Sequence, residues 1–150
     1  MLRRTVSSTL LAGLVFLLTP GRAAEPDPKA ITYTLPDKID WKKGPNNDTA
    51  ILQGDPSKPG LYIQLIRWHP GNMSRPHTHP NDRYIYVISG TWWMGWGETF
   101  DPDSTFPVKA GTYVVHHAGE LHYDGAKDGD CVLYIVGMGP VNTPRVGGTK

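Results

Sequence analysis

All six histidines of this 150-residue chain fall between His69 and His122. Two of them form His77-x-His79. On an extended strand, residues i and i+2 project from the same face, so this pair would present two imidazoles side by side. The run that follows, Tyr84-Ile85-Tyr86-Val87-Ile88, is β-branched and aromatic and stops at Ser89-Gly90, which reads as a strand ending in a turn. A second stretch, Gly111 to His122, repeats the construction: a turn glycine, a short alternating strand, another glycine at Gly119, and then His122. Neutral imidazoles suit a divalent transition metal such as Zn, Fe, Mn, Ni or Cu. Three of them leave positions open for water or substrate, as catalytic rather than structural sites do. The plain alternative is three histidines hydrogen-bonded in a pocket without metal.

Together the two stretches resemble the paired motifs of the cupin superfamily. The first family motif is glycine, five residues, His-x-His, three or four residues, glutamate, six residues, glycine. Gly71, His77, His79 and Gly90 fall on it, and the glutamate position falls on Arg83. In the second motif, Gly111, Gly119 and His122 fall on family positions, while His117 stands at the proline and Ala126 at the asparagine. The resemblance implies an all-β, cupin-like jelly roll (a double-stranded β-helix barrel), a metal held by His77, His79 and His122, and a homodimer.

Arg83 is the main departure. A divalent ion and a guanidinium about 5 Å apart repel by several kcal/mol at an effective dielectric of about 20. Arg83 would then turn away to pair with a carboxylate such as Asp82, or pair with an anionic ligand through its planar fork, or the site holds no metal. Asp82 is a backup ligand only if the strand is irregular there, because a one-residue shift reverses the face. His116 and His117 face opposite ways on a regular strand. One of them can reach the pocket as a further ligand or general base, and His117 and Arg83 are the candidate catalytic residues. Glu120 is expected on an exposed loop and His69 in a structural role.

The elements that must position these groups are short strands. Ala30–Leu35 alternates and reads as an edge strand, with further strands at Thr49–Gln53, Leu61–Trp68, Thr91–Gly97, Val108–His117 and Cys131–Val136. Trp41 is expected to pack across a face of the core. Asp124-Gly125 and Asp128-Gly129 bracket a hairpin. With Gly 17 and Pro 14, and no sustained helical periodicity, about eight strands suggest a sandwich or barrel.

Residues 1–24 read as a signal peptide: Arg3-Arg4, an apolar run Leu10–Leu18, and small residues up to Ala24. That run is too short to span a bilayer, which takes about 20 residues. Residues 25–150 then form one cupin domain in an exported, periplasmic or secreted protein. Losing three arginines and no acid takes the formal charge from +1 to −2, which argues against nucleic acid and membrane partners. The single cysteine, Cys131, sits in an apolar run and reads as a buried structural thiol. The sum is an exported metalloenzyme acting on a small molecule, possibilities including oxygenase, isomerase, lyase and hydrolase chemistry on an anionic substrate. The alternative is a non-catalytic protein that binds an organic acid or sugar.

Overall fold

The computed structural model describes residues 24–143. Apart from Ala24, the expected signal peptide lies outside them. Nine strands follow in order: β1 (Asn47–Gln53), β2 (Gly60–Trp68), β3 (Asn72–Met73), β4 (Arg83–Ser89), β5 (Thr91–Trp96), β6 (Phe106–Lys109), β7 (Tyr113–His116), β8 (His122–Ala126) and β9 (Cys131–Gly139). They form two antiparallel sheets, ordered β1-β2-β9-β4-β7 and β3-β8-β5-β6. This is the all-β, jelly-roll arrangement expected.

Alternation decides which side chains meet between the sheets. In β4, Ile85 and Val87 are buried while Tyr84, Tyr86 and Ile88 are exposed. In β9, Cys131, Leu133 and Ile135 are buried. These pack with Trp92 of β5, Val108 of β6 and Ala126 of β8 in one core cluster. Full burial of a side chain the size of leucine contributes about 1.5–3 kcal/mol. The inward rows change character along their length. β4 runs from Val87 through Ile85 to Arg83, and β8 from Ala126 through Asp124 to His122. One end of the interior is therefore apolar and the other polar.

Three sequence expectations are corrected. Val108–His117 is not one strand: Gly111, at φ 89°, turns the chain from β6 in one sheet to β7 in the other. The bracketed hairpin does not form either. β8 pairs with β3 and β5, β9 pairs with β2 and β4, and residues 127–130 cross between the sheets. Ala30–Leu35 forms no strand. The amides of Ala30 and Ile31 are both spent on the Asp27 carbonyl, and Pro36 ends the segment with no N–H to offer a ladder.

The outer face of β1 and β2 carries a buried charge. Asp48 is 1% exposed and meets Lys43 Nζ at 2.7 Å, His69 Nε2 at 3.0 Å and Arg67 Nη1 at 3.4 Å. The Lys43 hydrogen bond, followed by that from His69, holds the carboxyl below its ordinary value against the opposing effect of burial. His69 is structural, as expected, and Trp41 lies on this outer side, its ring 4.1 Å from the Arg67 guanidinium carbon.

Candidate metal and anion site

Main-chain pairing sets the first histidine against the last. His77 N–H donates to His122 O at 2.9 Å, and His122 N–H donates to His77 O at 3.1 Å. The His77 ring centroid is then 4.5 Å from His122 and 4.9 Å from His79, with 5.2 Å between His79 and His122. All three are buried, so the structure brings together the three predicted ligands.

Their hydrogen bonds show which nitrogens are free. His77 Nδ1–H donates to Arg75 O at 2.8 Å, and His122 Nδ1–H donates to Glu120 O at 3.0 Å. A carbonyl only accepts, so Nε2 keeps the lone pair in both rings. His79 differs. Arg83 Nη1 donates to His79 Nε2 at 2.6 Å, which takes the one lone pair of the neutral ring and leaves the proton on Nδ1, where it has no partner.

Arg83 points inward and is 8% exposed. It does not turn to Asp82, whose Oδ1 accepts the Ala118 N–H at 2.8 Å and whose side chain is partly exposed. Asp82 is therefore not placed as a backup ligand. Of the neighbouring pair, His116 is the one that enters the pocket, buried, with its ring 3.8 Å from His122. The candidate His117 is instead exposed, 4.0 Å from Asp82: on β7 the register sets His116 opposite Arg83, which leaves its neighbour outside. Glu120 is exposed and contributes only its carbonyl.

The sequence pattern does not mark Asp124 as a site residue: Asp124-Gly125 reads as part of a turn, yet Asp124 lies two residues after His122 on β8 and so shares its face. The same i, i+2 rule that marks His77-x-His79 would have found it. Ligand atoms of His116, His122 and Asp124 lie within 4.8 Å of one another, as do those of His77, His79 and His122. The two triads share His122. Buried ring nitrogens on His116 (Nδ1) and His122 (Nε2) have no partner, and two such nitrogens beside a carboxylate are a donor set that fits a divalent transition ion.

Burial first, then the Arg83 charge, lowers the pKa of His79 to about 2. Burial first, then His122, lowers that of His116 to about 2. Burial also lowers His122, against the opposing pull of Asp124. All three rings are neutral, but only His116 and His122 keep a lone pair free for ligation, as that of His79 is taken by Arg83. A cavity lined by His77, His79, His116 and Asp124, with Arg83 and Trp92, has a volume of about 220 Å³. Cys131 takes no part: burial, then Asp124, pushes its thiol up to about 12.

Comparison with known proteins locates this architecture. The family described as "ChrR Cupin-like domain" matches residues 30–142. Germin-like protein 5-1 of Oryza sativa subsp. japonica is 30% identical over 78 residues, which is 51% of this chain and 35% of that protein, so the chain spans about a third of the length of this curated relative. Among solved structures, the polyketide cyclase RemF from Streptomyces resistomycificus superposes with a TM-score of 0.65 at 16% identity, covering 80% of this chain and 88% of that one. KdgF from Halomonas sp. gives 0.57 at 18% identity, covering 71% and 94%. The DMSP lyase structure (RdDddP and RnDddQII) gives 0.56 at 15%, covering 72% and 62%. At these identities the structural likeness concerns the fold.

Proposed function

The chain belongs to the ChrR cupin-like domain family, and from that premise we propose a metal-dependent enzyme acting on a small anionic organic molecule. A divalent transition ion sits in the histidine cluster around His122, and the anionic group sits on Arg83. The observation that carries this reading is the buried guanidinium. A charge inside a protein costs several kcal/mol unless it is paired. Among the described residues, none of the recorded ion pairs includes Arg83. Its Nε has no partner and its Nη1 rests on a neutral ring. A carboxylate accepting two parallel N–H bonds from the fork would supply the missing charge. The cavity is smaller than the roughly 300 Å³ at which drug-sized pockets begin, which suits a compact organic acid.

Bound in the cluster, a divalent ion would supply Lewis acidity to an oxygen of that molecule. The chain's own part is to hold the anion at Arg83, keep the ring nitrogens neutral and exclude water with the wall formed by Ile85, Trp92 and Leu133. The resemblance to a cyclase and a lyase supports an enzymatic use of the fold by analogy alone. The second reading, a non-catalytic binding protein, draws on the Arg83–His79 bond, which needs no metal.

Elemental analysis of protein purified without chelator or affinity metal, followed by calorimetric titration with small carboxylates, tests both parts. The expected result is bound transition metal and carboxylate binding that Arg83→Glu abolishes while it tightens metal binding. Metal-free wild type with tight, Arg83-dependent carboxylate binding would give the second reading, and neither kind of binding would end both.

Two expectations from the sequence belong to this proposal. Export rests on the Arg3-Arg4, Leu10–Leu18 and Ala24 pattern; an intact mass that retains Met1 in the native host would reject it. The homodimer rests on the outer face of the five-stranded sheet, where Leu61, Tyr84, Tyr86, Tyr113 and Met138 are exposed. Light scattering that shows a monomer across micromolar concentrations would reject that.

A further inference from the structure

We infer that the ion is held by His116, His122 and Asp124, rather than by the His77, His79, His122 set that the motif resemblance implies, and that the His79–Arg83 pair is left to the anionic molecule. This rests on the reading above that a metal is bound, and refines where it sits.

Three observations carry the assignment. The first is the lone-pair count. A neutral imidazole has one acceptor nitrogen, and in His79 that nitrogen already accepts from Arg83 at 2.6 Å. To ligate through it, His79 would have to release the guanidinium, which has no other partner among the described residues. In the other triad, His116 Nδ1 and His122 Nε2 are buried with nothing bound to them.

The second is charge. Arg83 faces both triads, bonded to His79 and paired opposite His116, so it repels a cation in either; the His77, His79, His122 set has no carboxylate to offset that charge. Asp124 offers the opposite. It is buried, it lines the cavity, and its carboxylate lies within 4.8 Å of the His116 and His122 nitrogens. The anionic ligand that the family's first motif supplies from the position of Arg83 is thus supplied here from β8.

The third is that Asp124 is built in. Its N–H donates to Ser74 Oγ at 2.9 Å, and Ser74 N–H donates to the Asp124 carbonyl at 2.8 Å. These bonds tie the Asp124 main chain from both sides to the segment that precedes His77. Main-chain anchoring of this kind fixes the direction of a side chain before any ligand arrives.

The test is calorimetric titration of metal-free protein with Zn²⁺ alone, with Co²⁺ absorption as a second readout. Asp124→Asn should weaken Zn²⁺ by on the order of a hundredfold and change the Co²⁺ spectrum, and His116→Asn should do likewise. His79→Ala should leave Zn²⁺ affinity within about threefold, since its lone pair was not available. Matching far-ultraviolet circular dichroism of the metal-free variants confirms that they are folded. If Asp124→Asn does not fold, His116→Asn carries the comparison with His79→Ala. If His79→Ala loses the metal while Asp124→Asn and His116→Asn keep it, the ion sits on the other triad, and the assignment is overturned while the metal reading stands. Equal loss in all three variants overturns the separation of the two sites. Wild type that binds neither Zn²⁺ nor Co²⁺ overturns the metal reading itself.

Discussion

Asp48 and Arg83 are both buried charges of the five-stranded sheet, one on β1 and one on β4. Asp48 has three cationic or protonatable neighbours within 3.4 Å, in Lys43, His69 and Arg67. Arg83 has one neutral ring and an Nε without any partner. The two environments serve different ends. Where the chain supplies every partner, the charge ties the edge strand and its covering loop to the sheet. Where the chain withholds the partner and lines a cavity with the charge, the proposed function has the partner come from solution.

Substitution should give opposite signs at the two positions. The largest effect is expected from Asp48→Ala, which leaves Lys43, Arg67 and His69 facing one another without the carboxylate. Tm should fall by several degrees, with metal and carboxylate binding unchanged in the folded fraction, by scanning calorimetry and titration. Arg83→Met should act the other way. It removes a buried charge that has no carboxylate, and should stabilise the ligand-free protein by about 1–3 kcal/mol in urea titrations while abolishing carboxylate binding. A clear loss of stability would mean that the guanidinium is a structural group after all.

The pH dependence should separate the two regions by window. His79 and His116 are neutral in the fold down to about pH 2, whereas in the unfolded chain they take up protons near pH 6.5. Below that value the unfolded state binds more protons, so the urea midpoint of the metal-free protein should fall steadily as pH drops from about 6.5. The Asp48 contribution is complete above 3.8 and is lost only as pH falls through its lowered folded value. Arg83 is one of the charges that keep His79 and His116 neutral, so Arg83→Met should flatten the upper window and leave the lower one unchanged.

Much of this was legible in the residues. The pair His77-x-His79 follows from alternation on a strand, which is a local rule; His122 as its partner and Arg83 as the departure follow from the resemblance to the two family motifs. Long-range pairing was not legible. Val108–His117 reads as one strand until Gly111 is seen to carry it into the other sheet. Asp124 reads as a turn residue because Asp-Gly is a strong hairpin signal, but β8 and β9 belong to different sheets. That His116 rather than His117 enters the cavity depends on its register opposite Arg83, which no local pattern in the chain reveals.

The reciprocal bonds between His77 and His122 have a consequence for how such a site could change over evolutionary time. Those bonds join N–H to carbonyl, so the frame that brings two distant segments together does not depend on which side chains they bear. Donor groups could be exchanged at either position, imidazole for carboxylate or amide, without dismantling the frame. Position 83 is held the same way, by main-chain pairing with His116 on one side and Gly137 on the other, so its side chain too is exchangeable while the scaffold around it stays where it was.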